Sequence, residues 1–222
     1  MAKPKSRIIT VANRKGGVGK STFTVLFASS ISNQFKKKVI VLDLDVQQTV
    51  YTLWKGVSKP LFECERINVK DLNQKLNDID GEYDYIFLDV PRITDITTQK
   101  SDPSINAIKY SDTVIVPVLG TIIDVLSTIP FYNLIKDIAD LRKENNYPFK
   151  HKAFLNRSNS RKTNELAMQY LKGNGIKLME NQVNDYAIFQ NVDPEIDILE
   201  TYEGKTRFKP FFDEICETFK IK

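Results

Sequence analysis

The feature that most constrains the fold is a glycine-rich loop between a strand-like segment and an amphipathic helix. The apolar residues 7–12 are followed by the segment NRKGGVGKST, and Phe23, Phe27, Ile31 and Phe35 then recur at helical spacing. Glycines let successive backbone N–H groups turn towards an anion without Cβ clashes, and the free N–H groups at the start of the helix face the same anion. The sequence therefore predicts a phosphate-binding loop.

Each polar residue type of this loop has an expected role in binding a nucleotide. Lys20 is placed to bridge the β- and γ-phosphates, Ser21 to bind Mg²⁺, and Thr22 to hydrogen-bond the α-phosphate. The alternative is a glycine-rich turn that only caps the helix. Three glycines and two lysines at this spacing serve no packing purpose, so phosphate binding is favoured.

Apolar runs of strand length alternate along the chain with longer segments of helical period. The runs are nearly continuous, which indicates strands that are covered on both faces. We therefore predict an α/β fold of the P-loop NTPase kind, with a doubly wound, mostly parallel sheet and helices on both faces, in a single domain over residues 1–222. The predicted strands are residues 7–12, 39–42, 85–88, 113–118 and 152–155.

Helical periodicity predicts four helices. The first follows the glycine loop, and the others cover residues 125–143, 162–171 and 211–219. Pro130 is expected to kink the second helix or to mark its true start, because proline lacks the N–H that a helix interior needs. Residues 92–112 are the least regular stretch, and we expect either a surface loop or a loop with a short helix from Ile105.

The composition excludes several classes of protein. The 222 residues are 41% hydrophobic and 27% charged, as in ordinary globular proteins, and no apolar stretch reaches transmembrane length, so we expect a soluble, cytoplasmic protein. Cys64, Cys216 and the single histidine, His151, cannot form a disulfide scaffold or a Cys/His zinc cluster. The first third of the chain is strongly basic, which indicates either a phosphate or nucleic-acid partner or a solvated surface.

Three aspartates directly follow predicted strands. Asp43 and Asp45 come after residues 39–42, and Asp89 comes after residues 85–88. Because the carboxyl ends of parallel strands meet at one edge of a sheet, we expect these carboxylates beside the glycine loop. Any one of them could be a turn or capping residue, but together they favour a metal-phosphate site.

The segment KGGVGKS, residues 15–21, resembles the deviant Walker A motif KGGxGK[ST] of the ParA/MinD family of ATPases. The strict P-loop pattern fails here because Arg14 stands where its first glycine would be. The segment VIVLDLDVQQ resembles the family's DxDPQ motif with Val46 in place of proline, and DYIFLDVP is similar to its Walker B strand. Arg92 departs from the proline or small residue that is common there. SDTVIVPV and FLNR match a later strand and the segment near the adenine.

This resemblance implies an ATPase with ATP and Mg²⁺ as cofactors. It implies that Asp45 orients the attacking water and that Lys15 contacts the nucleotide of a partner subunit in an ATP-dependent homodimer. Asn156 is expected either to read the adenine edge or to form a turn. The implied catalytic residues are Lys15, Lys20 and Asp45, the nucleotide-binding residues are Lys15, Gly16, Gly17, Val18, Gly19, Lys20, Ser21, Thr22 and Asn156, and the metal-binding residues are Ser21, Asp43 and Asp89.

The resemblance leaves open what the ATP-bound dimer binds. A ParA-type protein binds DNA non-specifically, is nucleoid-associated in the cytoplasm, and moves plasmid, chromosome or mobile-element DNA with a centromere-binding or cargo-adaptor protein that stimulates hydrolysis. Basic residues at 157–162 and 205–209 are candidates for the DNA surface, with scattered surface charge as the alternative. Strand one begins by Arg7, so no helix-turn-helix segment precedes it and sequence-specific DNA binding is not expected.

Two other functions remain as alternatives. A MinD-like regulator would cycle on membranes through an amphipathic helix, and residues 211–221 have an apolar face. Acidic residues interrupt that segment, so we expect it to pack on the domain, and a membrane partner is not expected. A small-molecule ATP-dependent ligase, such as an amidoligase or a dethiobiotin-synthetase relative, would need a substrate pocket with its own motifs, which the sequence does not show.

Overall fold

The central element of the fold is a sheet of seven strands. The structure is a computed structural model that describes residues 5–93, 103–147, 149–158 and 161–222. The strands are β1 (Arg7–Val11), β2 (Val39–Asp43), β3 (Glu63–Arg66), β4 (Tyr85–Asp89), β5 (Thr113–Leu119), β6 (Lys150–Ser158) and β7 (Val183–Asn184). Their order in the sheet is β3-β2-β4-β1-β5-β6-β7, and every neighbouring pair is parallel.

Helices cover both faces of this sheet. The helices are α1 (Lys20–Phe35), α2 (Thr49–Lys55), α3 (Leu72–Ile79), α4 (Pro103–Tyr110), α5 (Ile122–Glu144), α6 (Arg161–Gly173), α7 (Tyr202–Arg207) and α8 (Lys209–Phe219). The face packed against α1, α2, α7 and α8 and the face packed against α3 to α6 each have their own hydrophobic cluster. This arrangement confirms the predicted doubly wound α/β fold.

Burial on both faces explains why the inner strands are continuous apolar runs. Every residue of β2 and of β4 is buried. Side chains alternate between the two clusters along a strand, so Ile40 and Leu42 pack under α3 to α6 while Val39 and Val41 pack under α1. A strand that is covered in this way needs apolar side chains at successive positions.

Two helices differ from the sequence prediction. Helix α5 begins at Ile122 and runs through Pro130, so Pro130 does not mark its start. Pro130 lies on the exposed face, where water can satisfy the carbonyl that loses its N–H partner. Helix α4 begins at Pro103, two residues before the predicted Ile105, and residues 94–102 of the irregular stretch lie outside the described part of the chain.

The apolar segment near residue 211 packs inside the domain, as expected. Phe211 of α8 is 1% exposed, and its ring centroid lies 4.6 Å from that of Phe154 and 6.0 Å from that of Phe23. Phe212 and Phe219 are also buried. Among the described residues, no helix is long and apolar enough to cross a membrane.

We expect the change Phe211→Ala to lower the free energy of unfolding by about 3–5 kcal/mol, because it leaves a cavity among packed aromatic rings. Urea denaturation followed by circular dichroism measures this loss. Tyr202→Ala is the matched control, since Tyr202 is 82% exposed and its ring makes little contact. Equal denaturation midpoints for the two variants would contradict the role assigned to α8.

Candidate functional site

The loop between β1 and α1 has the backbone geometry that an anion cradle needs. Gly17 and Gly19 have φ angles of 74° and 98°, which residues other than glycine rarely adopt. A Cβ atom added at Gly19 would also lie 2.7 Å from the Nδ2 atom of Asn156. A Cβ at Gly16 or Gly17 would meet nothing within 4 Å, so the space beside these two residues is open.

Asn156, at the end of the sheet in β6, supports this loop from behind. Its Nδ2 donates to the carbonyl oxygen of Val18 at 2.8 Å, and its Oδ1 accepts from the backbone N–H of Arg157 at 2.9 Å. The side chain is buried, at 5% exposure. Asn156 therefore helps to fix the shape of the loop, and its contact with adenine stays a prediction.

Lys20 is largely buried at the start of α1. Its Nζ lies 3.4 Å from the carbonyl oxygen of Lys15 at the other side of the loop. Burial lowers the pKa of the Lys20 ammonium; the charges of Asp89 and Asp45 oppose this effect. An ammonium beside the glycine loop is suited to contact phosphate oxygens.

Asp43 and Asp89 are neighbours across β2 and β4 and lie beneath the loop. Ser21 donates through Oγ to Oδ2 of Asp89 at 2.8 Å, and Thr24 donates to the other carboxylate oxygen at 3.4 Å. Burial raises the pKa of Asp89 to about 7, and the charge of Asp43 adds to this effect. Burial also raises the pKa of Asp43, although N–H groups of Tyr51 and Asp45 oppose the rise.

These groups fit a magnesium ion. Two buried carboxylates lie side by side, the Lys20 ammonium interacts with Asp89, and a serine hydroxyl lies within hydrogen-bond distance of the same carboxylate. Magnesium is commonly bound by one or two carboxylates together with phosphate oxygens. A divalent cation at this edge would stabilise the ionised forms of both aspartates.

Asp45 lies above this pair and faces a cavity of about 620 Å³. It is partly exposed, and its Oδ1 accepts from the N–H of Gln47 at 2.9 Å. The cavity brings together most of the predicted site, whereas Asp43 and Asp89 lie below it. Its lining residues are Gly16, Gly17, Gly19, Lys20, Ser21, Thr22, Asp45, Val46, Gln47, Pro91, Arg92 and Arg157.

The sequence prediction did not name Gln47, Pro91, Arg92 or Arg157 as binding residues, although it compared the segment that ends at Arg157 with the family's segment near the adenine. Gln47 and Arg157 follow predicted site residues closely, and Pro91 and Arg92 follow Asp89 at the end of β4. Their position just past the ends of strands could have indicated that they line the nucleotide site, since loops at the carboxyl edge of a parallel sheet surround the ligand. Arg157 had been considered for a DNA surface.

Lys15 points away from the cavity in this protomer. Its Nζ forms an ion pair with Oδ1 of Asp124, in the first turn of α5, and its backbone N–H donates to Asn13 at 3.0 Å. Asp124 is 3% exposed and was missed by the sequence prediction. The spacing of Thr121 and Asp124 is that of a helix capping box, which could have drawn attention to the residue.

Together these features define a nucleotide-binding protein of the P-loop class, with a glycine-rich loop and two buried carboxylates at one edge of a parallel sheet. The model of the CobQ/CobB/MinD/ParA nucleotide binding domain matches residues 9–185. The chain belongs to this family. The resemblance to ParA/MinD proteins is thereby confirmed.

Solved structures share the fold. A variant of Cyanothece McdA in complex with ATP has a TM-score of 0.75 and 16% identity, with 98% of this chain and 97% of that chain covered. Cobyrinic acid a,c-diamide synthase of Mycobacterium smegmatis with ADP and magnesium has a TM-score of 0.71 and 17% identity, with 97% and 96% covered. A plasmid partition protein of Borrelia burgdorferi bound to AMPPNP has a TM-score of 0.66 and 20% identity, with 97% and 98% covered.

Curated relatives match a smaller part of the chain. An uncharacterized protein of Pseudomonas putida is 27% identical over 154 residues. This alignment covers 50% of the chain and 56% of the relative, so the chain spans about half the length of the curated relatives that it matches.

We expect Gly19→Ala to weaken binding of Mg-ADP by at least about tenfold, because the backbone at this position strains any side chain and the added methyl displaces Asn156. Isothermal titration calorimetry measures the affinity. The control is Gly173→Ala, at the end of α6, where a Cβ meets nothing within 4 Å. Affinities that match in the two variants would contradict the loop geometry.

Proposed function

We propose that the chain is a ParA-like, Mg²⁺-dependent ATPase that acts as a single domain over residues 1–222. Its ATP-bound homodimer binds DNA non-specifically and partitions plasmid, chromosome or mobile-element DNA. The observation that carries the proposal is the convergence of the phosphate loop, Asp45 and Lys15 around one sheet edge. Hydrolysis of ATP to ADP and phosphate is slow and depends on dimerisation.

In the proposed reaction, the protein mainly positions the reactants and offsets negative charge. Lys20 and the loop N–H groups hold the β- and γ-phosphates, and Thr22 contacts the α-phosphate. Ser21, Asp43 and Asp89 hold Mg²⁺, which neutralises charge on the phosphates. Asp45 orients the attacking water from its position on the cavity wall. Asn156 contacts the adenine.

The face around Lys15 suits a second copy of the chain. Lys15 and Ile123 line the same surface cavity of about 400 Å³, and Ile123 is 75% exposed. Leu126 and Val46 are exposed as well, at 54% and 82%. Exposed aliphatic side chains beside a nucleotide site are typical of a surface that another protein covers.

Basic residues supply the proposed DNA contact. Lys205 and Lys162 are exposed, while Arg207 pairs with Glu203 at 3.3 Å and Lys209 pairs with Asp213 at 2.8 Å. Exposed ion pairs of this kind contribute little free energy, so the cations can exchange their carboxylates for DNA phosphates. Of the two other residues of this set, Arg157 lines the nucleotide cavity, and the side chain of Arg161 lies outside the described part of the chain.

The partition role draws its support from the Borrelia plasmid partition protein. A centromere-binding or cargo-adaptor protein that stimulates hydrolysis belongs to the same proposal, as does association with the nucleoid in the cytoplasm. Burial of the apolar side of α8 disfavours the MinD-like alternative, because that helix has no free apolar face to insert into a membrane.

A small-molecule ligase is the second candidate function. A neighbouring cavity of about 720 Å³ shares Asp45 and Arg92 with the nucleotide cavity and is also lined by Arg66, Asn68 and Lys70. Such a cavity beside the γ-phosphate position would admit an anionic substrate. The likeness to cobyrinic acid a,c-diamide synthase supports this candidate at the level of fold.

The proposed function predicts that the protein binds random-sequence DNA only with ATP, and less tightly as the salt concentration rises. Lys15→Ala is expected to abolish both this binding and ATP-dependent dimerisation while leaving some monomeric nucleotide binding. Fluorescence anisotropy with ATP, with ADP and without nucleotide measures DNA binding, and light scattering measures the dimer. An unchanged dimer mass with ATP in Lys15→Ala, or no DNA binding in any state, would contradict the proposal.

Asp45→Ala is expected to trap ATP in the dimer, because it removes the carboxylate that is proposed to orient the attacking water. We expect phosphate release to fall by about 10²-fold or more while nucleotide affinity changes little. A coupled phosphate-release assay measures turnover. Gln47→Ala, on the same cavity wall, is the control and should retain most activity; turnover at the wild-type rate in Asp45→Ala would refute this role.

A further inference from the structure

The contact between Lys15 and Asp124 joins an exposed cation to a buried anion. The side chain of Lys15 is 40% exposed and that of Asp124 is 4% exposed. One carboxylate oxygen of Asp124 faces the Lys15 ammonium, and the other contacts the hydroxyl of Thr121. The carboxylate is therefore fully engaged in this protomer, with Lys15 as the partner that brings a positive charge.

A second set of hydrogen bonds ties the backbone of the phosphate loop to the same helix. Asn13 accepts from the N–H of Lys15, and its Nδ2 donates to the carbonyl of Pro117 at 2.7 Å and to Oγ1 of Thr128 at 3.3 Å. Thr128 in turn donates to the carbonyl of Asp124 at 2.8 Å. The start of α5 and the start of the loop are thus held together at both the main chain and the side chains.

We infer that Asp124 is a positioning residue that holds Lys15 against α5 in the free protomer, and that release of Lys15 from Asp124 sets the threshold for ATP-dependent dimerisation. This inference rests on the proposed function, in which Lys15 must leave its own protomer to contact the partner's nucleotide. Ile123, next to Asp124, is exposed on the proposed dimer face, so the contact lies directly beside the surface that it controls.

The physical reason is the cost of leaving a buried carboxylate without its cation. Removing one partner of a buried ion pair is unfavourable, because the remaining charge stays out of water. The positive end of the α5 dipole stabilises the Asp124 carboxylate whether or not Lys15 is in contact with it, so it offsets part of this cost. The free energy of dimerisation must offset the rest of the cost of separating Lys15 from Asp124. A neutral side chain at position 124 removes the cost and leaves Lys15 free.

The first test measures how accessible the Lys15 amine is to a reagent in the nucleotide-free protein. Acetylation of its amine by an acylating reagent, followed by peptide mass spectrometry, should be several-fold faster in Asp124→Asn than in the wild type. Asp137→Asn is the matched control, because Asp137 is an exposed carboxylate further along the same helix. Asp124→Ser, checked by circular dichroism, is a second neutral variant in case the first one folds poorly. Equal labelling rates in all variants overturn the inference.

The second test measures dimerisation at saturating ATP by light scattering over a range of protein concentrations. Asp124→Asn should dimerise at a protein concentration about tenfold lower than the wild type, and Asp137→Asn should not. A residue that only caps α5 would lower the urea midpoint of Asp124→Asn without lowering the protein concentration at which the dimer forms.

The outcomes separate the inference from the proposed function. A threshold in Asp124→Asn that is equal to or higher than that of the wild type overturns the inference while leaving the ATP-dependent dimer intact. If the wild type stays monomeric with ATP, the proposed dimer is refuted, and so is the dimerisation threshold that depends on it. In that case the labelling rates still decide whether Asp124 positions Lys15.

Discussion

The buried carboxylate of Asp89 is the constraint on which the rest of the site depends. It lies on an interior strand next to Asp43, where a charge without partners would be costly. Ser21 and Thr24, near the start of α1, donate hydroxyl hydrogen bonds to this carboxylate. The Lys20 ammonium also lies close enough to offset part of the rise in the pKa of Asp89. The loop must therefore place α1 directly above this carboxylate, and its glycines make that close approach possible.

How much of the fold the sequence predicted depends on how deeply each element is buried. The five predicted strands were found because burial on both faces requires continuous apolar runs. Strand β3 lies at the sheet edge with Glu63 and Arg66 exposed, and β7 has two residues, so neither has such a run. Helix α2 was missed because Val50 is its one buried residue, which leaves no apolar periodicity to detect.

The same distinction applies to the site. The loop residues and the aspartates were predicted from local spacing, because each follows its strand directly in the sequence. Asp124 meets Lys15 across 109 positions of sequence, and Asn156 meets Val18 across 138. No local pattern encodes such a contact, since it depends on where β5 and β6 stand relative to β1 in the sheet. The folded order of the strands was needed to reveal Asp124 and the contact between Asn156 and Val18.

The packing of α8 on α1 also governs when the site can form during synthesis. Helix α1 follows the phosphate loop directly. Phe23 and Phe27 on its inner face contact Phe211, which is translated after the strands of the sheet. Until that helix leaves the ribosome, these rings lie open to solvent and to chaperones. The packing of α8 therefore links the helix that follows the phosphate loop to a segment far along the sequence.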